Sequence, residues 1–149
     1  MSNDLSDVKN QRAEAMAKIF LFKSDFRMTI EKYPTPLLDF FITLKDKPKV
    51  KFAVQVKRTS NFKRSIEKQL VNLQAYRDAR LINIPILLFR IDEKHERGEL
   101  DFLVAPSKKG KGLSLKKDFD FQELNQENLK KEIEVISRWY EKKTVAKIA

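Results

Sequence analysis

The sequence contains no cysteine and a single histidine, His95. Disulfide bonds and thiolate zinc sites are therefore excluded, as are metal sites built mainly from imidazole, and a reducing cytoplasm is the expected location. No apolar run approaches the roughly 18 residues that a membrane-spanning helix needs. The first residues, MSNDLSDVKN, also lack the basic start and apolar centre of a signal peptide. We therefore expect a cytoplasmic protein without a membrane partner.

Acidic residues are too few to balance the basic ones. The chain has 31 Lys and Arg against 21 Asp and Glu, which gives a net charge of +10. This balance favours polyanionic partners, nucleic acid before an anionic membrane surface, and solubility alone is the other interpretation. The basic residues are concentrated between Lys45 and Lys68 and in the stretch SKKGKGLSLKK at 107–117. This uneven placement favours nucleic acid.

Hydrophobic periodicity predicts one α/β domain over residues 1–149, with the order helix, three strands, helix, strand, then a hairpin strand and a closing helix. We expect a mixed central sheet flanked by helices. The core covers about 5–92, and a C-terminal strand, a basic loop and a helix occupy 93–143. The first helix begins near Asp4 or Ser6, with Val8, Ala15, Ile19 and Phe22 on one stripe. Strands are predicted within 25–33, 37–44, 50–57, 83–92 and 99–106, and further helices at about 61–80 and from Asn125 onward.

Polar side chains interrupt the second and third predicted strands. In LLDFFITL, simple alternation places Leu38 and Phe40 on one face and Asp39 on the other, where a carboxylate costs free energy unless a cation or donor meets it. In VKFAVQVK, Gln55 and Lys57 share the face away from the valines. If the two strands form a hairpin, Asp39 and Gln55 lie near each other across the ladder. Carboxylate and amide oxygens beside a lysine suit Mg²⁺ and phosphodiester hydrolysis.

The same residues also have ordinary structural interpretations. Asp39 could be an edge-strand carboxylate paired with a lysine, and Gln55 with Lys57 could form the solvent face of an antiparallel strand. The basic residues after Lys57 could be the solvated start of a helix. These interpretations stay open on the sequence alone.

Two short motifs in this element order resemble the PD-(D/E)XK nuclease superfamily. They are PLLD at 36–39 and QVK at 55–57, and the resemblance covers about residues 5–92. The stretch VQVKRTS is similar to small prokaryotic members whose third strand ends in Q-x-K followed by Ser or Thr. The resemblance implies a restriction-endonuclease-like αβββαβ core and a Mg²⁺-dependent DNA endonuclease, with Mn²⁺ as a substitute ion.

The resemblance also implies a role for each matching residue. Asp39 would be the main metal carboxylate, and the Gln55 side-chain oxygen and the Val56 carbonyl would be further ligands. Lys57 would contact the attacking water or the scissile phosphate. Glu14 on the first helix is the best candidate for an additional acidic residue, and Asp7 is the alternative by position. DNA contacts are expected from Arg58, Lys63 and Arg64 after the third strand, and from Lys108, Lys109 and Lys111 in the basic loop.

The sequence departs from the superfamily pattern at two places. Two residues separate Pro36 from Asp39, and Gln55 stands where most members carry an acidic residue. A catalytically inactive nuclease-fold module that binds DNA or a partner protein is therefore an alternative to the enzyme. A small RNA-binding or regulatory protein is a third hypothesis. A domain of this size would act as a homodimer or as a subunit of a larger complex.

Overall fold

The computed structural model describes residues 2–32, 38–63, 83–110, 112–116 and 118–148. These residues form an α/β fold with two helices and one mixed sheet. Residues 64–80 of the helix predicted at 61–80 lie outside the described part of the chain. The elements are α1 (Ser2–Phe22), β1 (Met28–Lys32), β2 (Phe40–Leu44), β3 (Lys51–Arg58), β4 (Ile86–Asp92), β5 (Arg97–Pro106), β6 (Leu113–Leu115), β7 (Gln122–Glu123) and α2 (Gln126–Ile148).

The seven described strands pair in the order β1-β2-β3-β4-β5-β6, and β7 pairs with the first part of β5. Strands β3 and β4 run parallel, and the other described neighbours run antiparallel. The hairpins expected between β2 and β3 and between β4 and β5 are both present, and the basic loop contains the short strand β6. The α/β class and the mixed sheet predicted from the sequence are therefore confirmed.

Helix α2 begins and ends where its local chemistry allows. The Asn128 N–H donates to Asn125 Oδ1 at 2.8 Å, so Asn125 caps the helix at the predicted position. At the other end α2 continues to Ile148, past the predicted limit at 143. The sequence TVAKI contains neither Gly nor Pro, so no residue there breaks the helix.

Both helices pack on one face of the sheet. We call the apolar residues between them and the sheet the helix-side cluster: Ala13, Ala17 and Leu21 of α1, Leu129, Ile133 and Ile136 of α2, and Phe40, Ile42, Phe52, Val54, Leu87 and Phe89 of the strands. The opposite face carries a far-side cluster that contains Leu38, Ala53, Ile84, Ile86, Leu88 and Leu103. Strands β3 and β4 are therefore buried on both faces, as is usual for parallel strands.

The face of α1 that packs on the sheet is not the apolar stripe seen in the sequence. The side chains of Val8, Ile19 and Phe22 are 43%, 53% and 62% exposed. The buried positions are Ala13, Ala17 and Leu21, which recur at i, i+4 and i+8. Small alanine side chains let the helix axis approach the sheet closely, so the larger side chains are left on the outside.

The described helices contain no stretch with both the length and the apolarity needed to cross a bilayer.

Gly98 lies where β5 passes very close to its neighbours. A Cβ atom there would lie 2.9 Å from a methyl carbon of Ile91, 3.0 Å from one of Leu124 and 3.1 Å from the Arg90 carbonyl oxygen. We expect Gly98→Ala to lower the free energy of unfolding by about 1–3 kcal/mol, because the buried neighbours must shift. Urea denaturation monitored by circular dichroism measures this change.

The matched control is Gly112→Ala, since a Cβ at Gly112 meets no atom within 4 Å. This variant should differ from wild type by less than about 0.5 kcal/mol. Equal stability of the two variants would contradict the packing described at Gly98.

Candidate functional site

A polar cavity of about 330 Å³ lies at the carboxyl end of β3, between that strand and α1. It brings together every residue predicted for the catalytic and metal site, although these residues come from three separate segments of the chain. The lining residues are Asn10, Ala13, Glu14, Asp39, Gln55, Val56, Lys57 and Arg58. Glu14, one of the two positions considered on the first helix, lines the cavity, and the side chain of Asp7 lies outside the described part of the structure.

The chain enters β2 through an irregularity at Asp39 and Phe40. Phe40 pairs with Val54 in the ladder, and the Asp39 N–H also donates to the Val54 carbonyl at 3.0 Å. Two residues that face one partner residue form a β-bulge, which shifts the alternation of side chains by one position. Leu38 accordingly packs in the far-side cluster and Phe40 in the helix-side cluster. The expectation that Leu38 and Phe40 share a face is therefore wrong.

The bulge places the Asp39 carboxylate beside the main chain of β3. Its Oδ2 atom accepts a hydrogen bond from the Val56 N–H at 2.6 Å. Asp39 and Gln55, predicted to lie near each other across the ladder, line the same cavity, and the hydrogen bond of the Asp39 carboxylate is to the Val56 amide. A charge-assisted bond of this kind fixes the orientation of the carboxylate in the cavity.

The pKa of Asp39 is raised from its ordinary value of 3.8 to about 6. Burial is the largest cause, because it disfavours the charged form. The Val56 amide opposes this shift, the nearby Glu14 carboxyl raises the pKa further, and Lys57 lowers it slightly. The Asp39 carboxyl therefore gains a proton only slightly below neutral pH, and a bound cation would favour its ionised form.

Gln55 is the most deeply buried polar residue of the cavity. Its side chain is 3% exposed, and its Oε1 atom has no hydrogen-bond partner within the described chain. A buried acceptor without a donor costs about 1–3 kcal/mol. Because this oxygen exposes almost no surface, a cation in the cavity would reach it only after the Gln55 side chain turned toward the cavity.

The residues present fit a hard divalent cation by the chemistry of their donor atoms. Mg²⁺ prefers carboxylate, amide and water oxygens, and Glu14, Asp39 and Gln55 supply the first two kinds. In the described ranges, no group of three or more His, Asp and Glu side chains could hold a metal ion. An ion held by the two carboxylates would complete its coordination with water or with the Gln55 oxygen.

The predicted nucleic-acid contacts fall in different places. Arg58 is one of the residues that line the cavity, and its Nη1 atom lies 4.0 Å from Glu93 Oε1. Lys63 is exposed a few residues further on, and its N–H donates to Asn61 Oδ1 at 2.9 Å. Lys108 and Lys109 are exposed beyond Pro106, at the opposite end of the sheet. Arg64 and Lys111 lie outside the described residues.

Arg90 is a buried cation next to the site, and it was not among the residues predicted from the sequence. In the ladder between β3 and β4, Arg90 lies opposite Lys57. Its Nη1 atom lies 3.1 Å from Glu99 Oε1, and its Nη2 atom donates to the Asn61 carbonyl at 3.0 Å. Burial lowers the pKa of Arg90, and the charge of Glu99 opposes that shift. An arginine inside the most apolar strand, ILLFRID, was the available signal. Arg90 attaches the segment after Lys57 to the sheet.

The chain has no match among protein-family models, curated proteins or solved structures.

We expect Asp39→Asn to stabilise the protein at neutral pH. Because the pKa of Asp39 is raised on folding, the contribution of Asp39 to the free energy of unfolding is most favourable below pH 3.8 and is lost as the pH rises through about 6. The asparagine stays neutral and its Oδ1 can still accept the Val56 N–H. The variant should therefore be more stable than wild type by about 1–3 kcal/mol at pH 7, with little difference at pH 4.

Urea denaturation at pH 4 to 8 measures this difference. Asp46→Asn is the control, because the Asp46 side chain is 68% exposed, and its stability should follow the wild-type pH dependence. Between pH 4 and 7, the free energy of unfolding of the wild type should decline relative to that of Asp39→Asn. The absence of this relative decline would contradict the described environment of Asp39.

Proposed function

We propose that this protein hydrolyses phosphodiester bonds in DNA with the help of Mg²⁺, on a PD-(D/E)XK nuclease-like fold. One observation carries the proposal. One cavity at the carboxyl end of β3 is lined by two acidic residues, Glu14 and Asp39, and by Gln55 and Lys57. These are the groups that metal-assisted attack on a phosphate requires. The resemblance of PLLD and QVK to the superfamily motifs, together with the net charge of +10, supports the same function.

Asp39, Glu14 and Gln55 would hold the metal ion through their side-chain oxygens. The Val56 carbonyl remains a further ligand proposed by resemblance. When bound, the ion would supply Lewis acidity toward a phosphate oxygen and would lower the pKa of a coordinated water. Mg²⁺ binding would favour the ionised form of Asp39, because only ionised carboxylates coordinate Mg²⁺ well.

The remaining residues of the cavity would act on the substrate. Lys57 would face the scissile phosphate and offset the negative charge that develops during attack. Arg58 lines the same cavity and Lys63 lies on the exposed segment that follows, so both would contact flanking phosphates. Asp39, fixed by the Val56 amide, would keep its orientation before and after DNA binds.

A second candidate function is a DNA-binding module that does not cut. The neutral side chain of Gln55 favours it, because the site then has one carboxylate fewer than most members of the superfamily. Such a module would use the basic residues near the cavity and would not need a metal ion.

Cleavage of DNA tests the proposed enzyme directly. Purified protein is incubated with supercoiled, linear, single-stranded and branched DNA in the presence of Mg²⁺, Mn²⁺ or EDTA. We expect cutting with either metal and none with EDTA. Asp39→Asn and Lys57→Gln should each lower the rate by at least about 100-fold, because each removes a group that acts on the metal or the phosphate.

Asp46→Asn should cut at the wild-type rate and serves as the control for an exposed carboxylate. The enzyme proposal fails if no substrate is cut with either metal. Cutting that persists in both Asp39→Asn and Lys57→Gln would assign the activity to another site or to a contaminating nuclease.

Gln55→Glu tests the metal site independently of catalysis. A third carboxylate in the cavity should lower stability in EDTA through charge repulsion. It should also tighten Mg²⁺ binding by about 10-fold, which corresponds to about 1.4 kcal/mol of additional stabilisation at saturating metal. Thermal unfolding with and without Mg²⁺ gives both values.

Gln126→Glu, at an exposed position, is the matched control and should show the wild-type response to Mg²⁺. A Gln55→Glu variant that gains no Mg²⁺-dependent stabilisation would argue against a cation at this cavity.

A further inference from the structure

A second basic surface lies far from the candidate site. Three segments form it: the turn between β2 and β3, the loop that follows β5, and the last turns of α2. Two contacts join them, from Lys47 Nζ to Glu141 Oε1 at 3.4 Å and from Lys142 Nζ to the Lys108 carbonyl at 3.3 Å. We call this the distal basic surface; it consists of Lys45, Lys47, Lys49, Lys108, Lys109 and Lys142, all of which are exposed.

The strand register places this surface at the opposite end of the sheet from the cavity. Strand β3 runs from the β2–β3 turn toward the cavity, and its segment from Lys51 to Val56 spans about 17 Å. Strand β5 runs antiparallel to β4, so its carboxyl end at Pro106 also lies away from the cavity. A phosphate held at Lys57 therefore cannot also contact Lys108.

The positive charge of this surface is largely uncompensated. Two acidic residues occur in its segments: Asp46 pairs with Arg27 at 3.5 Å, and Glu141 pairs with Lys47 at 3.4 Å. In the part of the chain that the structure describes, the other five lysines of the surface have no ion-pair partner. A polyanion would gain binding energy here by releasing its counterions.

The surroundings of the surface favour nucleic acid over a lipid bilayer. Peripheral membrane attachment combines basic residues with exposed apolar side chains that enter the bilayer. Among the described side chains up to Lys143, the large exposed apolar ones are Val8, Ile19 and Phe22, all on α1, whereas the apolar residues beside these lysines, Val50 and Tyr140, line a recessed groove. Exposed lysines on loops and a helix end are instead suited to contact phosphate groups.

We propose that the distal basic surface binds the backbone of duplex nucleic acid independently of the cavity. The choice of nucleic acid rests on the proposed function, but the binding does not require cleavage. At about 3.4 Å per base pair, a duplex contacting both places would need at least about 5 base pairs between them. The protein would thereby hold DNA at two separated places and remain bound when the cavity is vacant.

The test compares two double variants that remove the same charge. Lys108→Gln/Lys109→Gln changes the distal basic surface, and Lys18→Gln/Lys130→Gln changes two exposed lysines on α1 and α2. Affinity for a 30-base-pair duplex is measured by fluorescence anisotropy over a range of NaCl concentrations. We expect the first pair to reduce the slope of log Kd against log[salt] by up to about 2, and the affinity at 0.1 M salt by roughly 10-fold. The control pair should stay close to wild type.

Unchanged duplex affinity and salt slope in the Lys108/Lys109 variant would overturn the proposal. So would an equal loss of duplex affinity in both double variants. A third contrary result is binding to vesicles of anionic lipid that depends on Lys108 and Lys109 while duplex affinity does not. Circular dichroism of each variant verifies that it is folded. All titrations are run in EDTA, so that cleavage cannot distort them. Duplex binding that depends on Lys108 and Lys109, in a protein that never cuts, would support this inference while overturning the proposed function.

Discussion

The hydrogen bond between the Val56 amide and the Asp39 carboxylate is the interaction on which the candidate site depends. Strand β3 pairs with β2 from Lys51 to Val54 and with β4 from Ala53 to Arg58. Beside Val56, beyond the last pair with β2, the Asp39 side chain takes the place of a main-chain partner. The bulge at Asp39 makes this substitution geometrically feasible. A polar cavity opens at this point, next to a sheet that is otherwise filled with apolar side chains.

Much of the fold could be predicted from the sequence because alternation and helical periodicity are local signals. The strands, the hairpin turns and the cap of α2 follow from residues that are neighbours in the chain. The bulge could not be predicted, because it depends on how Asp39 and Phe40 meet Val54 across the ladder. The buried side of α1 was not apparent either, since close packing favours alanines over the larger residues that dominate a hydropathy pattern.

The candidate site was predictable as a set of residues but not as a geometry. The short motifs predicted Asp39, Gln55 and Lys57 as site residues, and all three line one cavity. Which carboxyl has a raised pKa, and which oxygen has no donor, depend on burial and on contacts with α1. Arg90 escaped notice because its partners, Asn61 and Glu99, come from other segments.

The alanines on the inner side of α1 have a consequence for motion. Methyl groups at Ala13 and Ala17 bury little area, whereas α2 is held by leucine, isoleucine and tryptophan side chains. Detachment of α1 should therefore cost less free energy than detachment of α2 or unfolding of the whole domain, and amide hydrogens of α1 should exchange sooner. Since Glu14 travels with α1, the cavity would lose one of its two carboxyl groups at each such opening. Its capacity for a cation would then depend on how often this helix is docked.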